Sequence, residues 1–140
     1  MRENRYGYSV RLSLRVRHPS ISPEAISTGF KLAPTTQWQV GSEVSGGRTK
    51  DSTYWIASLD IPSDDGLYES LKFAAGRLRT QEAFVAELVR TGGSCELFVG
   101  MFLDRDSGDA LPWDLLRSLG DMRIDLSLNI YCPTPVRSRR

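Results

Sequence analysis

Between Tyr8 and Arg17 every second residue is apolar, with Tyr8, Val10, Leu12, Leu14 and Val16 alternating against Ser9, Arg11, Ser13, Arg15 and Arg17. A repeat of two is the side-chain period of a β-strand with one face buried and the other wet, and a helix of period 3.6 cannot satisfy it. The chain is therefore expected to contain a sheet with a polar side. His18-Pro19 closes the strand, since proline has no N–H to give to a ladder.

The same alternation recurs from about Ser52 to Ile61, where Trp55, Ala57, Leu59 and Ile61 oppose Tyr54, Ile56, Ser58 and Asp60, with Pro62 as the stop. It recurs again from Ile124 to Tyr131, with Ile124, Leu126, Leu128 and Ile130 against Asp125, Ser127, Asn129 and Tyr131. Cys95 to Leu103 is apolar on both sides, which predicts a central strand carrying Phe98 and Phe102 on its second face. Helical signals fall between these segments. Ser22-Pro23-Glu24 reads as an N-cap, a first-turn proline and an acid at the positive helix end, with Gly29 as the stop. After Ser63-Asp64-Asp65 comes a stripe of Leu67, Leu71, Ala74, Ala75 and Leu78, then a second of Phe84, Val85, Leu88 and Val89. The break near Arg79-Thr80 predicts a kink or two helices, and Gly92-Gly93 a helix end. Pro112 to Leu119 predicts a short helix with Trp113, Leu116 and Leu119 inward and Gly120 as its end.

Lys31 to Lys50 lacks clear periodicity and predicts a long connection, with a short extended piece around Trp38 to Val40. The order β, α, loop, β, α(α), β, α, β predicts an α+β two-layer sandwich, with helices on one face of a four- or five-stranded, mostly antiparallel or mixed sheet. Residues 1–133 are expected to form one domain, in keeping with a length of 140 residues, and 134–140 a flexible basic tail.

Charge and composition exclude some functions. A formal net charge of +1 gives no chain-wide positive field, so neither nucleic acid nor anionic lipid is an expected partner. No run of apolar residues is long enough for a membrane span, and Met1-Arg2-Glu3-Asn4-Arg5 lacks the apolar core of a signal peptide. The expected location is the cytoplasm. Two cysteines, Cys95 and Cys132, with the single His18 make neither a disulfide framework nor a closed zinc site; buried free thiols are the plainer account. No metal or cofactor is expected.

Sharper catalytic readings fail on spacing. Gly41 to Lys50 has glycines and a basic end without the Gly-Lys-Ser/Thr terminus of a phosphate loop, so it reads as a flexible loop. Asp104, Asp106 and Asp109 have the look of a calcium loop, yet Asp109 stands at the glycine position and Leu115 at the twelfth. His18 is the one general base that titrates near neutrality; beside Arg17 its protonated form is disfavoured, and a packing role is the plainer account. Cys95 with His18 forms no recognisable nucleophile and base pair, and no catalytic residue is assigned.

The constellation left is the polar sheet face. There Arg11, Arg15 and Arg17 can stand beside Asp125, Asn129 and Tyr131, with Phe98 and Phe102 between them, and Trp38 is an aromatic of the long connection that a ligand can use. Arginine with tyrosine and phenylalanine combines planar donors with rigid apolar area, the composition that recognition surfaces favour. A solvated face with cross-strand ion pairs is the competing account.

Tyr8 to Pro19, Leu32 with Pro34, Trp38 and Gly41, Tyr54-Trp55, Glu96-Leu97-Phe98-Val99-Gly100 and Leu126 to Tyr131 together resemble a bacterial domain-of-unknown-function family, number 4279. The resemblance covers almost the whole chain. Its members usually carry an acid where Asn129 stands and a Ser or Asp cap where Leu111 precedes Pro112, so it implies no catalytic acid at 129. It implies a fold without an activity. The leading expectation is a non-enzymatic protein-binding module, immunity- or adaptor-like, built on Arg11, Arg15, Arg17, Trp38, Phe98, Phe102, Asn129 and Tyr131. One alternative is a small-ligand protein or enzyme with a pocket under the 31–50 connection, using Trp38, His18 and Arg17. Another is a homodimeric structural protein, joined edge to edge or face to face.

Overall fold

The computed structural model describes residues 7–61 and 66–132; the expected basic tail, Pro62 and Ser63-Asp64-Asp65 lie outside them. In chain order the elements are β1 (Tyr8–His18), α1 (Pro23–Phe30), β2 (Thr36–Trp38), β3 (Thr53–Leu59), α2 (Leu67–Arg79), α3 (Glu82–Arg90), β4 (Ser94–Leu103), α4 (Trp113–Asp121) and β5 (Ile124–Tyr131). The strands form one sheet in the order β2-β3-β1-β4-β5. β1 runs antiparallel to both β3 and β4, β2 runs antiparallel to β3, and β4 and β5 are parallel. The fold is thus an α+β sandwich on a five-stranded mixed sheet. Cys95 pairs with Ile124 at the start of the parallel ladder, which leaves Cys132 roughly 25 Å away at about 3.3 Å of rise per residue.

Alternation in β1, β3 and β4 places Tyr8, Leu12, Leu14, Val16, Trp55, Ala57, Cys95, Leu97 and Val99 under the helices, all fully or nearly fully buried. Each fully buried Leu or Val there contributes roughly 1.5–3 kcal/mol relative to exposure. Phe30 of α1 stacks on Trp55 at 5.6 Å and meets Phe84 of α3 edge-on at 5.0 Å, while the Trp55 indole N–H donates to Ser27 Oγ at 2.9 Å. This aromatic corner explains Gly29. Any Cβ at 29 would come within 2.3 Å of the Phe84 ring, so the glycine is a close-packing residue inside α1 rather than its stop. The helix ends one residue after it, and Lys31 takes the left-handed conformation at φ 57°.

The start of α2 has no side-chain cap of its own, because Gly66 stands at the N-cap. Distant residues supply the acceptors: the Leu67 N–H donates to the Tyr8 hydroxyl at 2.9 Å, and the Tyr68 N–H donates to Asp109 Oδ2 at 2.9 Å. The Tyr8 hydroxyl also donates to Asp109 at 3.3 Å. Asp109 therefore ties the 104–109 turn to β1 and α2 instead of serving only as a solvated turn residue.

Two expectations about the last helix need correction. In α4 the inward residues are Leu115, Leu119 and the following Met122, at i, i+4 and i+7, while Trp113 is 72% and Leu116 46% exposed. Gly120 lies inside α4, and left-handed Arg123, at φ 62°, turns the chain into β5. Leu128 and Ile130 continue the core-side row of β5 but are 46% and 53% exposed on this edge strand of the sheet.

The 31–50 connection is more ordered than a flexible loop. β2 spans Thr36–Trp38, slightly earlier than the piece expected around Trp38 to Val40. Beyond it a small hairpin is closed by backbone bonds from Gly41 to Lys50, Lys50 to Ser42 and Val44 to Arg48, with the turn at Gly46-Gly47. Their φ values of +87° and +78° are ones that side-chain-bearing residues rarely adopt.

Candidate functional site

All four helices pack on one side of the sheet, so the side chains on the other side form an open face. Strand register fixes who stands beside whom. Along one row run Trp38 of β2, Tyr54 of β3, Arg17 of β1 and Ser94 of β4; along the next run Ile56, Arg15, Glu96 and Asp125. Further along β1, Arg11 pairs with Gly100 and Gly100 with Asn129, and the last row sets Ser9 beside Phe102 and Phe102 beside Tyr131. All eight residues expected to contribute to a binding face, Arg11, Arg15, Arg17, Trp38, Phe98, Phe102, Asn129 and Tyr131, lie on this one side.

The face is built from cations resting on aromatic rings. Arg15 lies 3.6 Å above the Phe98 centroid, Arg17 4.5 Å above Tyr54, Lys50 3.7 Å above Trp38, and Arg11 5.6 Å from Phe102. Trp38 and Tyr54 rings are 4.6 Å apart, and Phe102 stacks on Tyr131 at 4.7 Å with planes 8° apart. Asn129 donates its amide to the Tyr131 hydroxyl. The Phe102 and Tyr131 rings reach over Gly100: a Cβ there would lie 3.5 Å from one and 3.7 Å from the other. Each exposed cation and ring pair is worth about 0.5–1 kcal/mol.

Few of the guanidinium donors are spent. The Arg15 ion pair with Glu96 is long, at 3.9 Å, with both side chains 32% exposed, and such a pair contributes about 0–1 kcal/mol. Arg15 Nε is buried and has no hydrogen-bond partner, and among the described residues Arg11 and Arg17 form no ion pair. Arg15, Arg17, Tyr54, Ser94, Glu96 and Asp125 border a depression of about 240 Å³, cationic on its β1 side and anionic on its β4 and β5 side. Sequence reasoning missed Tyr54, Lys50, Ser94 and Glu96 as members of this face. Tyr54 and Glu96 were legible as polar-side residues of their strands, whereas the position of Lys50 depends on the hairpin that returns it over Trp38.

The three residues of the alternative pocket do not all converge. Arg17 and His18, being adjacent in a strand, point to opposite sides; both border a depression of about 210 Å³ with Pro19, Asp51, Ser52, Gly92 and Ser94, and Trp38 is not part of it. His18 is 4% exposed, and both its ring nitrogens are engaged. Nδ1 accepts from the Ser20 and Ile21 N–H groups, each at 3.0 Å, so the proton sits on Nε2, which donates to Thr91 Oγ1 at 2.8 Å. Burial holds its pKa below the ordinary histidine value. The ring is a bracket for the β1–α1 turn rather than a free base. Cys95 is equally unsuited to nucleophilic chemistry, because burial, followed by the nearby Asp125 charge, pushes its thiol up to about 12.

Among the described residues no group of three or more His, Cys, Asp and Glu side chains is placed to hold a metal ion, and no helix is long and apolar enough to cross a membrane. Residues 8–133 match the model of a family described as Domain of unknown function (DUF4279). Neither a search of the curated proteins nor a search of the solved structures gives a match.

Proposed function

This chain belongs to the DUF4279 family, and we propose that its open sheet face is a recognition surface for another protein, with acidic side chains of that partner seated at Arg15 and Arg17. The observation that carries the reading is the state of those arginines. Their guanidinium carbons lie over the Phe98 and Tyr54 rings, 3.6 and 4.5 Å from the centroids, while most of their N–H donors remain unspent. Arginines held in this way lose little conformational freedom on binding and present a fork that matches a carboxylate. Glu96 and Asp125, across the same depression, select for a partner that adds a donor beside its acid.

The test is a comparison of wild-type protein with Arg17→Glu and Arg15→Gln as baits in the source-cell extract, with any captured protein then purified and its affinity measured. Glu is used at 17 because its cross-strand neighbours are Tyr54 and Ser94; at 15 it would oppose Glu96 and destabilise the sheet by like-charge contact. Loss of a central interface arginine costs about 2 kcal/mol, or roughly 30-fold in affinity. The expected result is that loss at both positions with little change in melting temperature. Retention of the partner by both variants overturns the proposal.

A further inference from the structure

We propose that a second copy of this chain pairs with β5 along the edge that no described strand occupies, antiparallel and about a two-fold axis at Leu128, joining two five-stranded sheets into one of ten strands. The inference does not depend on the reading of the open face. Its starting point is the contrast between the two sheet edges. β2 is three residues long, the short edge that discourages further pairing. β5 offers eight residues, Ile124–Tyr131, with no proline, no lysine and a single charge, Asp125. A long, regular edge strand of this kind is a ready template for another strand.

The surface beside that edge is apolar on the helix side. Leu128 and Ile130 are about half exposed there. α4 turns its Asp114 and Ser118 toward α2, where Ser118 Oγ accepts from Arg79. Leu116 lies about 100° round the helix from Leu115, on the side opposite Ser118, and so overlooks the β5 edge with Trp113 one turn before it. Trp113, Leu116, Leu128 and Ile130 together expose on the order of 400 Å² per copy, as large as the biggest apolar patches of ordinary monomers. With the edge of a strand about 25 Å long, the total for two copies passes the ~1,000 Å² that a specific interface needs.

The strand is also complementary to itself. With Leu128 opposite its counterpart, Leu126 falls opposite Ile130 on the apolar side, and Ser127 opposite Asn129 and Asp125 opposite Tyr131 on the polar side. Apolar meets apolar, and the two Asp125 charges stand apart, each facing a phenol.

Analytical ultracentrifugation from about 1 to 200 µM tests this, on the full chain and on the Leu128→Lys/Ile130→Lys double variant. Both sites are half exposed, and circular dichroism verifies that the variant is folded. The expected result is a wild-type mass that rises toward twice that of one chain and a variant that stays monomeric, with amide exchange in β5 slowing as wild-type concentration rises. A wild type that is monomeric throughout overturns the proposal, whatever else lies against the edge. So does a dimer that survives the double substitution, or one whose β5 amides exchange at the monomer rate.

Discussion

Replacing His18 by alanine removes three polar contacts at once, and the geometry sets the size of the penalty. The Ser20 and Ile21 N–H groups lose their shared acceptor, and Thr91 loses the Nε2–H donor. At about 1 kcal/mol for each partly buried donor, with a similar amount for lost packing, the loss is roughly 3 kcal/mol. For a chain of this size that corresponds to a fall of about 10 °C in melting temperature. Asparagine can place its Oδ1 near the position of Nδ1 and keep both backbone donors satisfied, so His18→Asn is expected to lose less than half as much. The imidazole also makes stability depend on pH. Its folded pKa lies below the ordinary value, so the unfolded chain takes up a proton first as pH falls. Its contribution is complete above about pH 6.5 and declines as pH drops through the folded pKa. Urea unfolding of wild type and His18→Asn between pH 5 and 8 isolates this dependence, since most carboxylates titrate lower. The reasoning is refuted if the wild type gains stability on acidification across that window, or if His18→Asn keeps the same slope.

Tyr8→Phe leaves the Leu67 N–H without its acceptor and is expected to cost about 1–2 kcal/mol in urea unfolding, with Asp109→Ala non-additive with it because both serve the start of α2. In native protein at pH 8, a thiol reagent is expected to modify one cysteine quickly, the exposed Cys132, and Cys95 only after denaturation. Rapid labelling of both thiols would show that the β4 core opens far more readily than its burial implies.

Strand alternation made most of this fold readable from sequence. The rows that begin at Tyr8, Trp55 and Cys95 have a period of two, and burial follows that period except at half-buried Val10 and at Gly100, which is buried on the open side. It also put Arg11, Arg15, Arg17, Phe98 and Asn129 on the side opposite the core before their neighbours were known. What alternation cannot convey is coverage. Leu128 and Ile130 have the pattern of core residues, but whether a helix reaches over them depends on the length and offset of α4. Trp113 and Leu116 misled for a related reason: in a nine-residue helix two apolar stripes compete, and Leu115, Leu119 and Met122 are the ones the sheet meets. Glycines were ambiguous likewise. Gly29 and Gly120 resemble helix stops in one dimension, while the residues that leave the helical conformation are Lys31 and Arg123. The asymmetric depression beside Arg15 depended on register, which sets Glu96 and Asp125 together only because β4 and β5 are parallel.

The strand that precedes the other four in chain order occupies the middle of the sheet. Leu12 pairs with Leu59 on one side and with Val99 on the other, so β1 acquires its first neighbour only after β3 has been synthesised and its second only after β4. Pairings between such distant segments fold slowly, because closing the intervening chain costs entropy before any contact repays it. During that interval Leu12, Leu14 and Val16 lack the strands that flank them in the finished sheet, and the nascent chain carries an adhesive apolar stripe. Substitutions that weaken β4 should therefore lower the yield of folded protein during synthesis more than they lower the stability of the molecules that complete it.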